Sequence, residues 1–238
     1  MTTDTITGSA RIWDLPVRLF HWLLVLLFAL LWATGRWGGL DLSLPLPGGK
    51  TLFLTNMDLH MLFGQAVLAL VVFRLLWGVV GSAAARFSAF VRGPRAVLGY
   101  VKEVLGGRPP AVAGHNPAGG LMVLLLLVLL LLQSGTGLFA NDELFSEGPL
   151  AHLVDSATSS RLTALHGRLF DLLLVAVAVH VAANLVYLLR GQNLIRAMVT
   201  GRGKVPADMA AGLRWAPLWL AALLLGVAVL AVVLLGRL

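Results

Sequence analysis

The sequence predicts an all-α integral membrane protein that crosses the bilayer on five helices. Three observations carry this expectation. Of the 238 residues, 58% are hydrophobic and only 12% charged, with mean hydropathy +0.88; soluble domains average nearer about 45–50% apolar and about 25% charged. Apolar runs of roughly 20 residues, the length needed to cross hydrocarbon, occur at 15–35, 59–81, 118–139, 163–189 and 216–235. The runs are continuous and not alternating, so membrane-spanning strands are not expected.

The first run follows a polar segment, 1–14, that begins "MTTDTITGSA". No small-residue cleavage site follows the run, so no removable signal is read there. Pro16 sits near its start, where a missing N–H costs little. The stretch "LDLSLPLPGGK", Leu40 to Lys50, is rich in Pro and Gly and reads as a loop before the second run. The third run is the purest, with "LMVLLLLVLLLL"; Asn116 is placed to cap it and Pro117 to occupy its first turn. The fourth carries two histidines, His166 and His180. A linker at 191–215 separates it from an additional spanning helix at 216–238.

Lys and Arg set the orientation. Arg11 and Arg18, then Arg86, Arg92, Arg95, Lys102 and Arg108, then Arg190, Arg196, Arg202, Lys204 and Arg214 all fall on one side of a five-span topology. The other side has Arg36, Lys50, Arg161, Arg168 and Arg237, with the acidic loop of Asp142, Glu143, Glu147 and Asp155. The N-terminus is therefore expected in the cytoplasm and the C-terminus in the periplasm. Membrane topology also accounts for the net charge of +7, so no nucleic-acid partner is expected. Cysteine is absent, which excludes disulfides, iron–sulfur clusters, thiolate zinc sites and the C-x-x-C-H attachment of c-type haem. No nucleotide-binding glycine loop, nucleophile elbow or zinc-protease helix is present.

Four histidines lie inside apolar runs, where an imidazole is costly and seldom without a role. His21 is near the cytoplasmic end of the first run, and His60 near the periplasmic end of the second. His166 is shallow on the periplasmic side of the fourth run and His180 deeper. They sort into two layers, His60 with His166 and His21 with His180. Fourteen residues separate His166 from His180, about 21 Å of rise and close to four full turns, so both share one helix face. Two flat cofactors, each gripped by one histidine of the fourth run, fit this spacing. Bis-histidine ligation suits haem iron that passes electrons, because no axial position stays open.

The same interval from His21 reaches Gly35, and from His60 reaches Arg74. Gly35 would let a macrocycle lie close to the first span, and Gly64, one turn beyond His60, would give similar clearance. Arg74 would face the inner layer and pair a haem propionate, or else snorkel to the nearby surface. Arg18 and Arg168 are read either as propionate partners or as surface anchors. His115 is read either as a proton donor to a quinone or as part of a capping loop. Asp171 is read as a hydrogen-bond partner between helices, in preference to a proton relay near a quinone. The rival metal for each layer is zinc or copper; zinc would want more converging ligands than two, and neither layer shows a carboxylate at ligand spacing.

The blocks "RIWDLPVRLFHWLLVLLFALLWATG", "LHMLFGQAVLALVVFRLLWGVVGS", "GHNPAGGLMVLLLL" and "LHGRLFDLLLVAVAVH" resemble the bacterial cytochrome b-561 family, which includes the cytochrome b subunits of nickel-iron hydrogenases. The resemblance covers roughly residues 10–190. It implies a four-helix transmembrane bundle around two haem b groups over 15–190, with His21, His60, His166 and His180 as iron ligands and the C-terminal helix as an addition. It implies a multi-pass protein of the bacterial inner membrane, in contact with lipid. Such proteins exchange electrons between the quinone pool and a periplasmic partner, such as a c-type cytochrome or a hydrogenase. Some are similar to a superoxide oxidase that reduces quinone. A histidine-based metal or proton transporter is the reading from a different class. The acidic loop is either a docking surface for a basic partner or a solvated turn.

Overall fold

The computed structural model describes residues 7–107, 112, 114–143 and 146–237. Arg108, counted above among the basic loop residues, and the first six residues of the N-terminal segment lie outside them. In chain order the elements are β1 (Thr7–Arg11), α1 (Leu15–Arg36), β2 (Leu42–Pro45), β3 (Thr51–Leu54), α2 (Asn56–Val80), α3 (Phe87–Phe90), α4 (Pro94–Leu105), α5 (Pro117–Gly137), α6 (Ser156–Leu189), α7 (Leu194–Thr200), β4 (Arg202–Pro206), α8 (Ala207–Ala211) and α9 (Leu218–Leu235). Five of them, α1, α2, α5, α6 and α9, are long and apolar enough to cross a membrane. The protein is an all-α integral membrane protein.

Helix starts follow local capping. Asp14 begins α1, its Oδ1 accepting the Val17 N–H at 2.8 Å. Asn116 begins α5, its Oδ1 accepting the Gly119 N–H at 2.7 Å, with Pro117 in the first turn as expected. Helix α6 starts seven residues before its apolar run, because Asp155 Oδ1 accepts the Thr158 N–H at 2.7 Å and nucleates a polar first turn. Two short antiparallel ribbons are present; their strands β2 and β4 occupy the segments read as loop and linker, and β1 the polar N-terminal segment. One pairs β1 with β4 (Ser9 opposite Lys204), the other β2 with β3 (Leu44 opposite Leu52). The second is a hairpin whose turn uses positive φ at Gly48 and Gly49. The period-two alternation of "LDLSLPL" is its signal, obscured by the prolines.

The chain forms two compact units. Unit 1 comprises Met1–Phe20, Phe73–Val128 and Leu173–Leu224; unit 2 comprises His21–Val72, Leu129–Leu172 and Leu225–Leu238. In unit 1, Trp77 is fully buried and its indole N–H donates to Asp14 Oδ2 at 3.0 Å, tying the end of α2 to the start of α1. Arg18 donates to the Met198 and Val199 carbonyls, so it anchors the end of α7. In unit 2, Val232 and Leu235 of α9 pack on Leu68, Ala69 and Val72 of α2. The additional C-terminal helix thus has a structural face on the second span.

Candidate functional site

Unit 2 brings His60 and His166 together. Their ring centroids are 6.4 Å apart and their planes cross at 74°. Two imidazoles sharing one metal about 2.1 Å from each nitrogen have centroids about 6 Å apart, so the spacing fits one metal between the rings.

Hydrogen bonds set the tautomer of each. Thr34 Oγ1 lies 2.9 Å from the Leu30 carbonyl and 3.2 Å from that of Leu31, so its single proton serves the helix backbone. Its oxygen, 2.9 Å from His60 Nδ1, therefore accepts from Nδ1–H. His166 repeats the pattern: Nδ1 donates to the Gln133 carbonyl at 2.9 Å, with Thr136 Oγ1 3.2 Å away. In both rings the remaining lone pair is on Nε2, the arrangement that metal-binding histidines use. The Gln133 side-chain amide donates to His166 Nε2 at 3.0 Å. Its own Oε1 is buried without a partner among the described residues. A metal on Nε2 requires this amide to turn away.

Glycines make room for the rings. A Cβ on Gly35 would stand 3.1 Å from His60 Cε1, and one on Gly137 2.9 Å from His166 Cε1. The clearance at Gly35 is taken by the His60 imidazole itself. At Gly64 nothing lies within 4 Å of the Cβ position, so that side is open. Thr34–Gly35 near the end of α1 and Thr136–Gly137 at the end of α5 are one device used twice, a buried hydroxyl beside Nδ1 and an absent side chain beside the ring. Sequence reasoning missed Thr34, Gln133, Thr136 and Gly137. The recurring Thr-Gly dipeptide at the same end of alternate spans was the available signal. Among the described residues, no three His, Cys, Asp or Glu side chains gather to hold a metal ion. A pair of imidazoles suits a metal that brings its other ligands, as iron porphyrin does.

Unit 1 holds His180, Arg74 and His115. Asn184, one turn along α6, has its Nδ2 3.4 Å from His180 Nε2 and donates to the His180 carbonyl at 2.8 Å. Arg74 is 2% exposed. Its Nη2 donates to the Ala85 carbonyl at 3.0 Å, and its guanidinium carbon lies 5.1 Å from the Phe87 ring centre. These contacts turn it inward, so it does not snorkel to the surface. Its Nη1 is buried with no partner among the described residues. A buried cation with a donor to spare fits a carboxylate-bearing cofactor.

His115 stands between Trp13 and Phe90, with centroids 4.6 Å away on each side. Burial, then the Arg74 cation and His180, push its imidazole down to about 3, so it stays neutral. Its loop is pinned by Asn116, which caps α5 and donates to the Tyr187 hydroxyl at 3.2 Å; that hydroxyl pairs with Tyr100 at 2.8 Å. Burial pushes the Tyr100 phenol up.

His21 lies on α1, edge-on to Trp22 at 5.0 Å. It belongs to unit 2 and His180 to unit 1; their pairing is a proposal from helix depth. Asp171 is exposed on α6, not placed for the expected bond between helices. In the acidic loop Asp142, Glu143 and Glu147 bond locally to Ser146, Ser160 and Asn141.

A family model described as prokaryotic cytochrome b561 matches residues 12–201. The match ends before α8 and α9. No curated protein and no solved structure matches the chain.

Proposed function

The chain belongs to the prokaryotic cytochrome b561 family, and from that premise we propose that it is a dihaem electron carrier linking the quinone pool to a periplasmic redox partner. The single observation that carries the reading is the facing pair His60 and His166, 6.4 Å apart, with both Nδ1–H groups already spent on protein acceptors. A b-type haem bound there would supply a reversible one-electron iron centre.

The residues divide the work. His60 and His166 would hold the outer haem through Nε2, and Thr34 and the Gln133 carbonyl would keep their rings from rotating. His21 and His180 would hold the inner haem. Arg74 Nη1 would take a propionate of the inner group, and Gly64 would leave room for the outer macrocycle beside α2. His166 and His180, on one face of α6 and about 21 Å apart along it, would place the two centres at different depths. A c-type cytochrome or a hydrogenase is the class of partner for the outer centre.

A reduced-minus-oxidised spectrum and a pyridine haemochrome count on the purified protein test this. Two b-type haems per chain are expected, reducible by a quinol. A preparation with one haem or none would overturn the dihaem reading, and two haems that no quinol reduces would overturn the quinone link.

A further inference from the structure

We propose that His115 is a positioning residue for the inner haem, acting with Arg74 to bind the two oxygens of one propionate. The proposal rests on the reading above that an inner haem is held at His180. Two buried polar atoms of unit 1, Arg74 Nη1 and His115 Nδ1, have no hydrogen-bond partner among the described residues. Leaving either group unpaired inside a protein is unfavourable, and a native structure rarely does so without a ligand or water to complete it. Both side chains flank the same ring: the Arg74 guanidinium carbon is 6.0 Å from the centre of Phe90, and the His115 centroid 4.6 Å from it.

Charge selects the ligand. Arg74 is a permanent cation. Asp14 bears on it electrostatically, yet its two oxygens accept the Val17 N–H and the Trp77 indole. A neutral carbonyl, such as that of a quinone, would satisfy one N–H and add no countercharge to that of Asp14, which makes no direct hydrogen bond to the guanidinium. A carboxylate answers both needs and has a second oxygen to offer. His115, neutral in its aromatic clamp, contributes an Nδ1–H donor without adding charge. Trp13 and Phe90 hold the ring on two sides, and Asn116 and Tyr187 hold its loop, so the donor is fixed before any ligand arrives.

Screening a propionate raises the potential of its haem, because the negative charge otherwise favours the ferric form. His115→Phe keeps the aromatic stack and removes Nδ1, while His115→Asn returns a side-chain N–H at a similar distance from the backbone. The expected result is two haems per chain in both variants, one midpoint shifted to lower potential in His115→Phe, and recovery of most of that shift in His115→Asn. Unchanged midpoints in His115→Phe, or an equal shift in both variants, overturn the proposal. A wild-type protein lacking the second haem overturns the underlying reading instead. If His115→Phe does not take up haem, solid-state NMR of the reduced wild-type protein decides, through the dipolar coupling between ¹³C-carboxyl-labelled haem propionates and ¹⁵N-histidine. A coupling at hydrogen-bond distance supports the bond, and its absence overturns it.

Discussion

The imidazoles of His60 and His166 confront one another across 6.4 Å with their planes crossed at 74°. Neither ring is free to choose its tautomer. Thr34 receives one Nδ1–H and the backbone of Gln133 the other. Two helices far apart in sequence thus present two Nε2 lone pairs prepared in the same way, and α1 and α5 supply the acceptors and the space.

If the two layers are separate haem sites, His60→Ala and His166→Ala each lower the pyridine haemochrome count from two to one and remove the same midpoint from a redox titration. His180→Ala removes the other. Loss of the same midpoint from His60→Ala and His180→Ala would show the pairing to be wrong.

Arg74→Ala removes a buried cation and its bond to Ala85. The midpoint of the inner haem should fall, and the protein should lose about 1.5–3 kcal/mol, the worth of a hydrogen bond to a charged group. Thermal unfolding in detergent and a redox titration read the two effects. An unmoved titration would mean that Arg74 faces no carboxylate.

Gly137→Ala and Gly64→Ala probe different spaces. At Gly137 the new methyl would crowd His166 Cε1 at 2.9 Å, so the ring must tilt and the ferric electron paramagnetic resonance signal of the outer haem should change. At Gly64 the protein leaves open space, so reduced haem uptake there would come from the cofactor alone. Normal haem content in Gly64→Ala would remove Gly64 from the site.

Bonds from Thr158 hold the Asp155 carboxyl below its ordinary value of 3.8. A lowered folded value means the cap is at full strength above about pH 4 and is lost as pH falls through that lower value. The protection factors of the Thr158 and Ser159 amides, exchange measured against the intrinsic rate at each pH, should therefore fall on acidification in the wild type. In Asp155→Ala they should be low at every pH; protection persisting in that variant would show that the first turn of α6 does not depend on the cap.

Much of this was legible in the residues. Hydrocarbon thickness is a one-dimensional constraint, so counting apolar runs located five spans to within a few residues at most ends. Asp155 moved the start of α6 because a cap operates on polar residues that hydropathy ignores. The depth of each histidine followed from the same count, and the family match supports the electron-transfer class that those depths suggested. The β1–β4 ribbon was not legible, because β1 and β4 are about 190 residues apart and a two-stranded pairing leaves little periodicity.

By itself the sequence determined that the chain is membrane-embedded, where along each span its imidazoles stand, and that no cysteine chemistry is available. Tertiary structure alone decided how the rings of His60 and His166, paired by depth in the sequence, face one another, that both keep Nε2 for a ligand, and that Arg74 turns inward to Ala85 and not out to the surface. The division has a physical cause. Burial depth is a property of one helix read along its axis, whereas ring orientation and hydrogen-bond partners depend on how neighbouring helices are rotated, which no single run of residues specifies.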